Sequence, residues 1–511
     1  MLGLWFVPRL FLSSFLACAP PTPPAEPLGP APGELLLLHT NDLHCHYLPE
    51  RADWLEGEPA IGGFVEIDAW VRALSANMPT LLLDGGDILT GTPLTDLKVR
   101  DANGGAMLEL MEAAGYDAWA LGNHEFDRGD QNLAALIAAS KIPVVSSNVV
   151  AKSGGPAYPG LRPSVILEAG GLKVAVIGAT TEGLTHLAPL SVMQRVEVKK
   201  AVDTVRAELE RLAPEVDLVI ALTHLGVEAD RALAEAIPEL DLIIGGHSHT
   251  PLRVEERVNG VPIVQAGSYG RSLGVIRLRV EDGAIVSFQY QLQDLLPGSA
   301  PGPASPEIAA MVEGYATEID SVYGVVIGEA KATLGRSWAE ESDLGNWVTD
   351  ALRAFAGTDI GVYNSGGLRA DLVAGPITRR SIYEILPFGN QVTTFTITGG
   401  ELQAILLANA LAAQSGDKGA IQLSGATVRW REKMGSPEIV EALVNGKPLD
   451  PDATYTAVSN SFVVERADRY LAGAKPQAVV TLPRSDFDVL LDEVAKGPVV
   501  TPPRDRTVQV K

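Results

Sequence analysis

From Glu34 onward the chain alternates short, wholly apolar runs with longer stretches whose apolar residues recur every three to four positions. Leu35–Leu38, Thr80–Leu83, Asp117–Leu121, Val144–Val145, Val174–Ile177, Leu218–Leu222 and Leu240–Ile244 are too short for helices and predict strands buried on both faces. Between them, Gly104–Ala114, Asp130–Ala139 and Val202–Leu212 carry helical spacing. Alternation of this kind predicts an α/β (α+β layered) architecture. Polar clusters stand where the apolar runs end: Asn41-Asp42, Asp87, Asn123-His124, His224 and His247. Open α/β sheets build their sites at such strand ends.

The alternation breaks at residues 293–306, Gln-Asp-Leu-Leu-Pro-Gly-Ser-Ala-Pro-Gly-Pro-Ala-Ser-Pro, a linker composition. Residues 307–320 regain helical spacing. Beyond Tyr323, helices (Leu344–Phe355, Gly400–Ala412) mix with strands (Ile360–Tyr363, Thr393–Ile397, Thr454–Val458). The expected organisation is a domain over 34–295, a linker and helix over 296–322, and a second domain over 323–511. No short solenoid-type repeat is present. The 511 residues exceed what one hydrophobic core serves, which fits that division.

A hydrophobic share of 46% and a charged share of 20% exclude general disorder. The net charge of −23 argues against a nucleic acid polymer as partner, because a phosphate backbone needs a basic footprint. Small phosphorylated substrates stay open, since a bound metal can meet their charge locally.

The two cysteines, Cys18 and Cys45, cannot form a disulfide framework. Cys18 closes the apolar stretch Leu10–Ala17, which follows Arg9. That stretch is too short to span a bilayer and reads as the core of a signal peptide over residues 1–18. Phe15-Leu16-Ala17-Cys18 resembles a bacterial lipoprotein box, with Phe15 where leucine is usual. The proline-rich residues 19–33 predict an extended spacer. The expectation is export, with the protein held on a membrane of the cell envelope (periplasm or outer surface) through lipid on Cys18; secretion without lipid is the alternative. No later run is apolar for long enough to span a membrane.

Five of the eight histidines fall in short motifs with acid or amide neighbours: Asp42-Leu43-His44, Gly86-Asp87, Gly122-Asn123-His124-Glu125-Phe126-Asp127, Thr223-His224 and Gly245-Gly246-His247-Ser248-His249. A lone buried histidine is more often a satisfied core residue. Mixed carboxylate, amide and imidazole donors in five loops are what two neighbouring divalent cations need, with one carboxylate shared. The donors suit zinc, manganese or cobalt.

Leu38-His39-Thr40-Asn41-Asp42-Leu43-His44, Asp84-Gly85-Gly86-Asp87, Gly122–Asp127 and Gly246-His247-Ser248-His249 together resemble the calcineurin-like metallophosphoesterases, and within them the 5′-nucleotidase family. The resemblance runs from about residue 34 to the end. It implies a four-layer metallophosphoesterase sandwich followed by a mixed α/β substrate-binding domain that swings against it. It assigns Asp42, His44 and His249 to one metal, Asn123, His224 and His247 to the other, Asp87 to the bridge, and His124 with Asp127 to the catalytic pair. Cys45 stands where the family usually has glycine, so it either crowds that loop or serves as a soft ligand. His46 is expected near the site, while His39 and His186 are expected to be structural.

In the second domain, Asn364-Ser365-Gly366-Gly367-Leu368-Arg369 resembles the family loop whose arginine contacts phosphate, and Pro387-Phe388-Gly389-Asn390 the loop that sets an aromatic and an amide at the nucleobase. The family's glycine-rich run is altered here to Asn460-Ser461-Phe462-Val463-Val464-Glu465-Arg466-Ala467-Asp468-Arg469-Tyr470. Tyr470 and Asp468 remain, while the glycine positions hold Arg466, Ala467 and Arg469. Arg336-Ser337-Trp338 does not supply the further arginine many members carry there. The resemblance thus implies a hydrolase of nucleoside monophosphates, with Phe388 and Tyr470 holding the base. Alternatives are a 2′,3′-cyclic phosphodiesterase, a nucleotide-sugar or other phosphoester hydrolase, a thiosulfohydrolase relative, and a non-catalytic surface binding protein that keeps the fold.

Overall fold

The computed structural model describes residues 32–510 except Asp53, Asp417 and Lys418. The signal peptide, Cys18 and residues 19–31 of the spacer lie outside the described residues. Among the described residues, no helix is long and apolar enough to cross a membrane.

The apolar runs fold as two sheets laid face to face. One has seven strands in the order Leu161–Arg162, Val144–Val145, Ala118–Ala120, Thr80–Asp84, Glu34–Thr40, Ser272–Glu281 and Ala284–Asp294. The other has six, in the order Ser164–Ala169, Leu172–Thr180, Leu218–His224, Leu242–Ile244, Val261–Val264 and Glu256–Val258. The strands nearest the site are parallel, so their C-terminal ends share one edge of each sheet.

The continuous apolar character of Glu34–Thr40 has a direct cause in this packing. Leu35 and Leu37 face the second sheet, while Leu36 and Leu38 face the helices on the outer side. Side chains alternate across a strand, so a strand with a core on each face must be apolar throughout. Phe64–Ser75, Gly105–Ala114 and Gly129–Ala139 cover the first sheet, and Ala201–Leu212 and Val227–Ala236 cover the second. The result is the four-layer α/β/β/α sandwich.

The segment after residue 293 is fastened to this sandwich. The Glu66 carboxylate accepts from the N–H groups of Gly298, Ser299 and Ala300. Helix Pro306–Tyr323 then buries Ile308, Val312 and Ile319 in the core over the first sheet. Residues beyond it build a five-stranded sheet in the order Ile421–Ser424, Ile360–Asn364, Thr454–Asn460, Gln391–Thr398 and Gln477–Ser485, beside a four-stranded sheet. Asp343–Ala356 and Asp486–Ala495 cover one face of the five-stranded sheet, and Gly399–Ser415 the other. Capping boxes open the helices that begin after Thr398 and Ser485.

Candidate functional site

The five motifs, four of them carrying histidine, converge because each follows a parallel strand. Asp42 and His44 follow Glu34–Thr40, Asp87 follows Thr80–Asp84, Asn123 and His124 follow Ala118–Ala120, His224 ends Leu218–His224, and His247 and His249 follow Leu242–Ile244. The loops are held tightly. The N–H groups of Asp42, His44 and Cys45 donate to the carbonyls of Gly86, Asp87 and Ile88 at 2.8, 2.9 and 2.9 Å. Glu125, fully buried, accepts from the N–H groups of Gly122 (2.7 Å) and Ile88 (2.9 Å), tying the Asp87 loop to the Asn123 loop. Gly122 is required there, since a methyl at that position would collide with Asp87 Oδ1.

Asp42, His44, Cys45, Asp87, His247 and His249 all adopt left-handed backbone, with φ of 52°, 49°, 56°, 56°, 76° and 53°. Each costs a residue with a Cβ about 1–2 kcal/mol. Strain concentrated in one set of loops marks a site whose surroundings over-determine its geometry. The family's glycine at position 45 meets the same φ without that cost. The Cys45 thiol points into the apolar core rather than toward the histidines, and burial pushes its pKa up to about 12. Its candidacy as a soft ligand is therefore withdrawn.

The donors form three overlapping groups, each with ligand atoms within 4.8 Å of one another: Asp42, His44 and His249; His44, Asp87 and His124; Asp87, His224 and His247. His249 Nε2 stands 3.2 Å from Asp42 Oδ1, and His224 Nε2 3.0 Å from Asp87 Oδ2. His44 Nδ1 faces the carbonyls of Leu89 (2.9 Å) and Thr90 (2.7 Å), and His224 Nδ1 faces that of Gly85 (2.8 Å). Donation from Nδ1 leaves the Nε2 lone pairs aimed inward, the arrangement that metal-binding histidines use. His44 Nε2 and His249 Nε2 then face each other at 3.1 Å, and the buried Asn123 Oδ1 has no hydrogen-bond partner.

Electrostatics agree with the geometry. Burial lowers the pKa of His44 well below its ordinary value, and burial with the neighbouring His224 brings His247 to about 4, so both offer neutral lone pairs. Burial alone would lower His224 too, but the Asp87 and Asp42 carboxylates raise it to about 10. Asp87 and Asp42 are themselves held ionised by the neighbouring histidines despite their burial, and that negative charge would draw a divalent cation in place of the His224 proton. The donor set fits two divalent cations with Asp87 shared between them.

His124 lies beside this cluster. Its Nδ1 pairs with Asp127 Oδ2 at 2.6 Å, its N–H donates to Asp87 Oδ1 at 2.8 Å, and its Nε2 is 3.9 Å from Asp87 Oδ2. Burial would lower its pKa, but the charges of Asp127 and Asp87 outweigh that and raise it. The Nε2–H is thus available as a donor toward the cleft.

Across a cleft of about 580 Å³, the second half of the chain presents Asn364, Arg369, Phe388, Asn390 and Tyr470. The Phe388 ring stacks on His124, with centroids 5.6 Å apart and planes at 28°, and the Arg369 guanidinium lies 5.9 Å from the Phe388 ring centre. Asp468 is exposed and does not line the cleft; its neighbour Arg469 does. Trp338 and Phe462 also line it, and neither was singled out from the sequence. Both are apolar residues in loops or short elements, where periodicity carries no signal. Arg128 was missed as well: its guanidinium donates to Pro387 O and Tyr383 OH, both at 3.0 Å. His46 stacks on Tyr269 at 4.1 Å, and Tyr269 in turn meets His44 and His249 edge-on. His39 is buried against Tyr290, and His186 is exposed on the Leu184–Leu187 turn.

Two cation half-sites around one carboxylate, at the strand ends of a four-layer sandwich, define a metallophosphoesterase. Residues 35–251 match the calcineurin-like phosphoesterase family, and residues 323–474 match the 5′-nucleotidase C-terminal domain. The 5′-nucleotidase precursor of Thermus thermophilus superposes with a TM-score of 0.82 at 28% identity, over 93% of this chain and 99% of that one. Protein UshA of Escherichia coli is 27% identical over 86% of each chain. The trifunctional nucleotide phosphoesterase protein YfkN of Bacillus subtilis is 28% identical over 94% of this chain, which spans only 35% of that relative's length. The chain thus carries, in order, the two domains of the 5′-nucleotidase family of metallophosphoesterases, whose members are phosphoester hydrolases that use two divalent metal ions.

Proposed function

We propose that this chain is an exported hydrolase of phosphate monoesters, acting on nucleoside 5′-monophosphates. The observation that carries the reading is the Asp87 carboxylate, shared by two groups of donors and facing, across one cleft, an arginine and an aromatic ring. Asp42, His44 and His249 would hold one cation, Asn123, His224 and His247 the other, and Asp87 would serve both. When bound, two such cations supply an activated water near neutral pH and neutralise phosphate oxygens during in-line attack.

The chain's own groups do the rest. Asp127 fixes the His124 ring, whose Nε2–H donates to an oxygen that gains charge in the transition state or to the departing 5′-oxygen. Arg369 takes two phosphate oxygens with its planar fork. Phe388 and Tyr470 provide stacking faces and Asn390 a hydrogen-bonding edge for the base. Asn364 is held by the Asn460 amide at 3.1 Å and braces the Arg369 loop. The lipoprotein-box likeness before Cys18 supports attachment to a membrane of the cell envelope through lipid on that residue.

The test is phosphate release, with and without added zinc, manganese or cobalt, from AMP, a 2′,3′-cyclic nucleotide, a nucleotide sugar and p-nitrophenyl phosphate. AMP is expected to be the best of the four and inert after chelation. Phe388→Ala or Tyr470→Ala should raise KM for AMP more than for p-nitrophenyl phosphate, because base stacking contributes about 1–3 kcal/mol. A better rate on the cyclic nucleotide or nucleotide sugar transfers the reading to that substrate. No metal-dependent release from any of them leaves a binding protein. Cell fractionation of the wild type and Cys18→Ser tests the anchor, and a wholly soluble wild type removes it.

A further inference from the structure

Arginines in this acidic chain generally stand against a carboxylate, as Arg128 does with Asp96, Arg231 with Glu256 and Arg506 with Asp350. Two that line the cleft do not: among the described residues, neither the Arg369 nor the Arg469 guanidinium has an acidic partner or a hydrogen bond. Each leans on one aromatic ring instead, Arg369 at 5.9 Å from the centre of Phe388 and Arg469 at 5.4 Å from that of Tyr470. The cleft therefore carries two separate free cations, one near the metal donors and one on the far aromatic wall.

Arg369 meets the phosphate under attack. Arg469 has no counterpart in the family loop, where glycine offers no side chain. The neighbouring acid, Asp468, is turned to solvent, so nothing on this wall neutralises Arg469. There is also room beyond it. Trp338, Asn364, Gly366, Arg469 and Tyr470 line both the main cleft and an adjoining chamber of about 490 Å³, whose further wall includes Ile405 and Ile421. A guanidinium at that junction can meet an anionic group from either side, with a fork suited to phosphate or carboxylate.

We propose that Arg469 is an anion subsite, and that this chain prefers nucleotides with a second negatively charged group on the nucleoside portion, such as a nucleoside bisphosphate. This rests on the nucleotide reading above and narrows it. The reaction stays the same: water adds to the 5′-phosphorus, the 5′-oxygen leaves and gains a proton, and a 3′,5′-bisphosphate yields a nucleoside 3′-phosphate and inorganic phosphate.

The test is kcat/KM of the full-length, metal-loaded enzyme for adenosine 3′,5′- and 2′,5′-bisphosphate, AMP and p-nitrophenyl phosphate. Wild type, Arg469→Ala and Arg469→Lys are compared; position 469 is exposed, so the fold tolerates these changes. The wild type should favour at least one bisphosphate over AMP by tenfold or more, and less so as salt rises. Arg469→Ala should bring that ratio to within about threefold of unity, and Arg469→Lys should restore part of it. A wild type without preference, or equal losses on AMP and the bisphosphates in Arg469→Ala, overturns the inference. Phe388→Ala separates the two failures. If it costs AMP nothing relative to p-nitrophenyl phosphate, the nucleotide reading falls and takes this one with it. If it does cost AMP and the Arg469 ratio stays put, only the subsite falls.

Discussion

Replacing Arg128 by methionine should loosen the closure of the two halves of the chain over the cleft. Arg128 follows Asp127 of the proposed catalytic pair, and its guanidinium, 14% exposed, spans the seam. On its own side it meets Asp96 Oδ1 through Nε and Nη2 at 3.0 and 2.8 Å. On the other side it donates to Tyr383 OH and Pro387 O, both at 3.0 Å, and to Phe388 O at 3.4 Å. Tyr383 OH in turn donates to Asp96 Oδ2 at 2.7 Å. The loop so held carries the ring that stacks on His124.

Hydrogen bonds to a charged group contribute about 1.5–3 kcal/mol each. The two short cross-seam bonds set an upper scale of about 6 kcal/mol. Asp96 keeps its bond to Tyr383 and a solvated edge after the substitution, so about 3 kcal/mol is the better figure. If nucleotides bind only the closed arrangement, that corresponds to a rise in KM of up to about a hundredfold. Steady-state kinetics on AMP and p-nitrophenyl phosphate, beside calorimetric melting, provide the assay. KM for AMP should rise at least ten times more than KM for the small ester. Arg128→Met and Tyr383→Phe should be less than additive, since both cut one cluster. Equal rises on both substrates, or strict additivity, would refute the seam as the cause.

Asp87→Asn should lower bound metal below two ions per chain and nearly abolish turnover; metal analysis showing full occupancy would contradict the shared-carboxylate assignment. His124→Ala should keep metal content near the wild-type value while lowering kcat by about a hundredfold or more, and loss of metal with retained activity per loaded site would move His124 into the ligand set. Burial raises the Asp486 carboxyl from 3.8 to about 7, against the bonds it accepts from Tyr363 OH and the Phe487 N–H. A carboxyl with a raised folded pKa contributes stability that is complete below its unfolded value and lost as pH rises through the folded one. The melting temperature of Asp486→Asn should therefore fall less than that of the wild type between pH 5 and 8, and parallel profiles would show that Asp486 is already ionised in the fold.

The sandwich and the clustering of the candidate metal donors were legible in the sequence for the same reason. A parallel strand with cores on both faces must be apolar throughout, so Leu35–Leu38 and Leu218–Leu222 announce themselves, and the donor motifs begin where each such run stops. Cation ligation also demands particular atoms, and few other needs place His, Asp and Asn together at five strand ends. Even the unusual backbone at Cys45 was implied by the glycine it replaces. The cleft wall was not legible in this way. Ala467–Tyr470 is a single helical turn that points successive side chains about 100° apart, so one step in the chain decides that Arg469 faces the cleft and Asp468 faces water. Trp338 and Phe462 reach the cleft from segments with no periodic pattern, and the proline-rich break hid how firmly Pro306–Tyr323 packs on the first core. The Arg128 seam exists only through contacts between residues more than 250 positions apart. Strand order and local chemistry are written along the chain; the spacing between one half's arginines and the other half's aromatics is set by how the two surfaces meet, and only the tertiary structure decides that.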